Sequence, residues 1–154
     1  MCTLKQVLEY YNDLKYWYEF GYGNAINGKT SCPLMKDVKK TFEETKNLGT
    51  FYFSHEEGLL PFLDLVGLYK DNFTLTYDIY GEDMVTNRKY QGSRIGPFAQ
   101  NIGFVFFDCG EGNNSKVLTL HQERVVKLDK CSEEACDWEE FKEAYQVKIF
   151  PFGY

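Results

Sequence analysis

The stretch TFYFSHEEGLLPFL, Thr50 to Leu63, sets an apolar, strand-like run against a histidine and two glutamates, then follows them with a second apolar run that reads as a helix. Ser54-x-x-Glu57 has the capping-box pattern, in which Ser54 would cap the amide of Glu57 and Glu57 would reach back. Glu56 and Glu57 would then complement the positive end of the helix dipole. Pro61 disturbs that account, because past the first turn its ring and missing N–H cost ~3 kcal/mol. A helix beginning nearer Gly58 would leave His55, Glu56 and Glu57 in a loop at the C-terminal end of the strand. In open α/β sheets that rim is where ligands bind, and helix N-termini there favour anions. Capping and ligand contact both fit these residues.

Working outward, Leu4, Val7, Leu8, Tyr11, Leu14 and Tyr18 recur at three- and four-residue steps and predict an amphipathic helix that stops at Gly21 or Gly23. Asn27-Gly28 marks a turn. Pro33 suits the first position of a second helix, with Leu34, Met35, Val38 and Phe42 on one face and a stop at Lys46–Gly49. Phe51 to Phe53 reads as a short buried strand, and Leu59 to Leu68 as a helix ending near Gly67. Downstream, Thr74 to Tyr80 alternates like a strand. Ile102 to Cys109 and Lys116 to His121, joined by GEGNNS, predict a hairpin. Asp137 to Gln146 closes the chain with a helix bearing Trp138, Phe141 and Tyr145 on one face. This order predicts an α/β fold with a mixed sheet.

The 154 residues carry a net charge of −6, and 18% of them are aromatic. That acidity argues against nucleic acid or an anionic membrane surface as partner. No run approaches the roughly 18 apolar residues of a membrane span. Of the five cysteines, Cys131 and Cys136 are close enough to close a small loop, and an odd count leaves one without an internal partner. Asn72-Phe73-Thr74 and Asn113-Asn114-Ser115 are glycosylation sequons. Cysteines and sequons together point to the endoplasmic reticulum lumen or secretion. The charged first twenty residues contain no signal-peptide core, so the expectation is a truncated chain.

Other motifs carry less. In HEEGL, Leu59 occupies the place of the second zinc histidine, and His121 is the only other histidine, so neither a metal nor another cofactor is expected. His121 reads as structural. Gly21-Tyr22-Gly23 and Gly110-Glu111-Gly112 lack the rest of a phosphate-binding glycine pattern. Arg88, Lys89 and Arg94, like Lys36, Lys39 and Lys40, read as solvated surface.

Three long segments, YYNDLKYWYEFGYGNAINGKTSC, FSHEEGLLPFLDLVGLYKDN and SRIGPFAQNIGFVFFDC, closely resemble in this order the C-terminal half of the inositol polyphosphate phosphatases of the histidine acid phosphatase family. The likeness extends to the terminal KCSEEACDWEEFKEAY. It implies part of a three-layer α/β sandwich of the phosphoglycerate mutase-like type, one segment over 1–154 with a helical part at 1–48 and a sheet-forming part at 49–154. Members of the family remove phosphate from phytate and related compounds, and some also act on bisphosphoglycerate. Their late His-Ala-Glu motif is matched by His55-Glu56-Glu57. The resemblance implies that His55 contacts the phosphoryl oxygens and that Glu57 is the general acid that protonates the leaving alkoxide.

Two departures matter. Glu56 replaces the alanine, and a carboxylate there is expected to face away from substrate phosphates. The family nucleophile lies in an early Arg-His-Gly-x-Arg-x-Pro motif, but no Arg-His pair occurs here and the three arginines are Arg88, Arg94 and Arg124. The phosphate cradle is therefore expected on a missing N-terminal half, leaving this chain inactive alone. The rival reading is a non-catalytic, secreted binding module on the same scaffold.

Overall fold

The structure is a computed structural model that describes residues 4–44, 49–110 and 115–146. Its centre is α4 (Glu56–Val66), whose Leu60, Pro61, Phe62, Leu63 and Val66 are all buried. The helix begins two residues before Gly58 and runs through Pro61, which has no N–H to give to the Glu57 carbonyl. Burying a Leu or Phe side chain contributes roughly 1.5–3 kcal/mol, so three such residues around Pro61 outweigh its penalty of ~3 kcal/mol. Gly67 ends the helix in the left-handed conformation (φ 83°), with its amide on the Asp64 carbonyl and that of Leu68 on the Leu63 carbonyl.

Three helices precede it: α1 (Leu4–Glu19), α2 (Asn27–Thr30) and α3 (Cys32–Glu44). The first corrects the expected face. Tyr10, Asp13 and Trp17 are the residues of α1 that are buried, while Leu4, Val7, Leu8, Tyr11 and Tyr18 of the periodic apolar stripe stand exposed. Helix α3 follows expectation, with Pro33 in its first turn and Met35 and Val38 buried. Its predicted stop falls largely on residues 45–48, outside the described residues.

Phe51–Phe53 is neither a strand nor buried: the segment lies outside any regular element, with Phe51 83% and Phe53 95% exposed. The expected strand at Thr74–Tyr80 is likewise a 3₁₀ turn (Tyr77–Ile79) in irregular chain. Two short helices follow, α5 (Asp83–Thr86) and α6 (Gly92–Ile95).

The hairpin forms as predicted. β1 (Ile102–Asp108) pairs antiparallel with β2 (Ser115–His121), from Ile102 opposite His121 to Asp108 opposite Ser115; residues 111–114 of the connecting turn lie outside the described residues. On the other side of β2 lie β3 (Arg124–Val125) and β4 (Ala135–Asp137), both antiparallel. One face of the hairpin is packed: Phe104 meets Phe62 and Phe141 edge-on, and Phe106 meets Phe42 and Trp138. On the opposite face Val105 is exposed and Leu118 and Leu120 are half-buried. Phe107 on that face is half-buried too, so Val105 alone of the apolar residues of β1 is exposed.

Helix α7 (Trp138–Ala144) is capped by Asp137, whose carboxylate accepts the amides of Glu139 and Glu140. A Cys131–Cys136 disulfide staples the loop ahead of it (Cα–Cα 5.4 Å), as the spacing allowed, while Cys32 and Cys109 are free.

Asp64, on α4, accepts the Gly28 amide at 2.9 Å and ties α2 to the central helix. Burial pushes its pKa up to about 6, against lesser opposition from the Gly28 bond and Lys70. Because the folded pKa lies above the unfolded one, ionising Asp64 removes stability as pH rises from about 4 to 6. Asp64→Asn keeps an acceptor for Gly28 and no charge. It should raise stability at pH 7 by roughly 1–3 kcal/mol and flatten the profile between pH 4 and 7, as read by urea denaturation at each pH.

Candidate active site

The three titratable residues of the opening stretch do not share one fate. His55 is the N-cap residue of α4, with extended backbone (φ −108°, ψ −180°). Its carbonyl accepts the amides of Gly58 and Leu59 at 3.1 and 3.2 Å, but no side chain caps the helix. The capping box of Ser54 and Glu57 is therefore not formed. The Ser54 hydroxyl instead folds back over Gly58, at the place a Cβ would fill, so a larger residue there would displace it.

Glu56 is half-buried, and its Oε1 accepts the Tyr16 hydroxyl of α1 at 2.6 Å. That bond, more than burial, raises the Tyr16 pKa. The carboxylate that departs from the family pattern is thus held against α1. His55 and Glu57 stand exposed in the same turn, and neither side chain bonds to another described residue. An imidazole and a carboxyl remain available at the positive end of an 11-residue helix whose far end is locked in the core.

A groove of about 830 Å³ runs beside them between α1 and α6, lined by Leu4, Leu8, Asp13, Tyr16, Glu56 and Arg94 among others. It reaches α4 only at Glu56; His55 and Glu57 are not in its wall. Its floor is fixed by a buried ion pair absent from the sequence reading. Asp13 on α1 accepts Nε and Nη2 of Arg88 through one oxygen, and the Gly92 amide at 2.6 Å through the other. Arg88 also lies over the Tyr10 ring. Arg88 is therefore not solvated surface, whereas Arg94 and Lys89 of the same cluster are exposed. Seventy-five residues separate Asp13 from Arg88, and no local pattern in the sequence announces the pairing.

His121 has the structural place expected of it: buried on β2, with Nδ1 2.6 Å from the Tyr69 hydroxyl. Among the described residues no group of three or more His, Cys, Asp or Glu could hold a metal ion. No helix of the described residues is long and apolar enough to cross a membrane. Asn72 is exposed in a bend and Asn113 lies outside the described residues.

The profile of the histidine phosphatase superfamily (branch 2) matches residues 5–128. The chain belongs to that family. Its α/β class follows from that membership, with all strand pairs among the described residues antiparallel. The chain is 35% identical over 143 residues to a Drosophila melanogaster protein named multiple inositol polyphosphate phosphatase 1, covering 92% of this chain and 30% of that one. A Homo sapiens protein of the same name is 34% identical over 155 aligned residues, 92% of this chain and 31% of that one. A Dictyostelium discoideum protein of that name is 37% identical over 101 residues, 65% of this chain and 16% of its own. The chain thus spans about a third or less of the length of these curated relatives.

Removing Arg88 would strand a buried carboxylate. Breaking one partner of such a pair typically costs about 3–5 kcal/mol. Arg88→Met should lower stability by that amount in urea denaturation, whereas Arg94→Met, at an exposed position, should change it by less than about 0.5 kcal/mol.

Proposed function

We propose that this chain is the acid-bearing part of a phosphomonoesterase that removes phosphate from inositol polyphosphates such as phytate. Glu57 is the general acid and His55 contacts the phosphoryl oxygens. The observation that carries this reading is the division within one helical turn: Glu56 is engaged by Tyr16, while His55 and Glu57 stand unengaged at a helix N-terminus. The names of the relatives supply the substrate class.

The chemistry is consistent with these roles. An inositol oxygen leaves poorly as an alkoxide, so the P–O bond breaks more readily when a carboxylic acid delivers its proton to that oxygen. A positioned acid contributes typically 10²–10⁴-fold. The imidazole and the amides at the start of α4 offer donors and positive potential to the phosphoryl oxygens. Attack on phosphorus requires a nucleophile, and the Arg-His-Gly motif that would provide it does not occur in these 154 residues. It belongs to polypeptide outside this chain, which alone should therefore turn over no phytate. The formed disulfide and the exposed Asn72 sequon support a place in the endoplasmic reticulum lumen or outside the cell.

The test is a substrate comparison in enzyme assembled with the nucleophile-bearing polypeptide. Glu57→Gln should lower kcat on phytate by about 10²–10⁴-fold, and on an activated aryl phosphate, whose leaving group needs little protonation, far less. Bisphosphoglycerate, with alkoxide leaving groups, should follow phytate. Equal losses on all three would remove Glu57 from the acid role. Calorimetric binding of phytate by the isolated chain, with wild-type turnover surviving loss of Glu57, would favour the binding module instead.

A further inference from the structure

Glu56 is the member of the His55–Glu57 turn whose side chain is engaged, and its partner comes from a different helix. The Tyr16 hydroxyl of α1 donates to Oε1 at 2.6 Å, and the carboxylate has no other hydrogen-bond partner among the described residues. Glutamate is among the rotamer-rich side chains, so without that bond it would sample both sides of the turn. Tyr16 selects one side. With the bond made, Glu56 lines the groove between α1 and α6, a wall that His55 and Glu57 do not reach.

Tyr16 is itself held from behind. Asp13, one turn earlier on the same face of α1, is gripped by Arg88 and by the Gly92 amide of α6. The Tyr16 ring lies against Gly92, where an added Cβ would come within 3.7 Å of it, and its centroid is 5.8 Å from that of Phe20. The buried ion pair thus fixes the hydroxyl that in turn fixes Glu56. The bond to Glu56, ahead of burial, raises the Tyr16 pKa, so the phenol remains a donor at acidic and neutral pH.

We propose that Tyr16 is a positioning residue of this site: by holding Glu56 on the α1 side, it keeps the approach to His55 and Glu57 open to substrates that carry several phosphates. The inference rests on the reading of His55 as the phosphate contact and Glu57 as the acid, and adds to it a determinant of substrate charge. An aryl monophosphate brings a single phosphate to the turn. Phytate brings further phosphates on the neighbouring ring carbons, and these are the groups that a released Glu56 would meet. Near a protein surface, a carboxylate and a phosphate a few ångströms apart repel strongly enough to weaken binding by about tenfold or more.

The experiment measures kcat and KM for phytate and for an aryl monophosphate in enzyme assembled with the nucleophile-bearing polypeptide. The variants are Tyr16→Phe, Glu56→Ala and the two combined, each checked for folding by circular dichroism. Tyr16→Phe, which removes only the hydroxyl, should raise KM for phytate by about tenfold and leave kcat within about twofold. KM for the aryl monophosphate should rise far less. Salt at about 1 M, where the screening length is about 3 Å, should erase most of the increase. In the Glu56→Ala background Tyr16→Phe should change neither constant, because no carboxylate remains to be released. A tyrosine that only packs would act alike in both backgrounds and on both substrates. An unchanged KM for phytate in Tyr16→Phe, an equal rise on both substrates, or a rise that persists without Glu56 would overturn the proposal and leave the acid role of Glu57 standing. Equal losses on both substrates in Glu57→Gln would overturn the reading of the site, and this inference with it.

Discussion

Burial of the second and third turns of α4 is the constraint from which the rest follows. Leu60, Phe62, Leu63 and Val66 leave the helix no freedom to rotate, because a turn of even half a residue step would trade packed side chains for solvent. Once they are fixed, the first turn has a fixed direction too, and with it His55, Glu56 and Glu57. Pro61 fits the same picture. A proline is tolerated there because the apolar burial around it outweighs the peptide hydrogen bond it cannot make. The site thus inherits its geometry from a core that contains none of its residues.

The sequence was most legible where structure is local. The β1–β2 hairpin, the α7 helix with Asp137 at its start, and the Gly67 stop each follow from signals within a few residues, and each formed. Helix α1 shows where that logic gives out. Its three- and four-residue periodicity correctly predicts a helix, but Tyr10, Asp13 and Trp17, not the aliphatic stripe, face inward. Periodicity identifies a face that seeks cover; it does not say which neighbour supplies it. Asp13 is buried because Arg88 and the Gly92 amide meet it from seventy-five and seventy-nine residues away, and nothing near Asp13 foretells that. The Tyr16–Glu56 bond is hidden for the same reason. The resemblance singled out His55 and Glu57 as a candidate pair, but nothing in the sequence pointed to Tyr16 as the partner of Glu56.

The misreadings run both ways: Arg88, read as solvated surface, is buried against Asp13, while apolar residues elsewhere stand exposed. The aromatic run at Phe51–Phe53 reads as a buried strand and is exposed, and most of the apolar stripe of α1 is exposed as well. The matched relatives are about three times as long as this chain.

On the proposed reading, that division falls at a chemically sensible place. Phosphoryl transfer asks for two kinds of group: cations and a nucleophile around phosphorus, and a proton donor at the leaving oxygen. The first kind must be concentrated, since several negative oxygens converge on one point. The second needs a single carboxyl kept clear of competing partners, which is how Glu57 stands. Net charge then ceases to be a puzzle. A chain at −6 need not attract a polyanion by itself if, as proposed, the attracting charges lie on polypeptide outside it. Glu56 sharpens the point, because an additional carboxylate beside a phosphate site is tolerable only when something turns it aside. The Tyr16 hydroxyl does so without placing a compensating cation beside it.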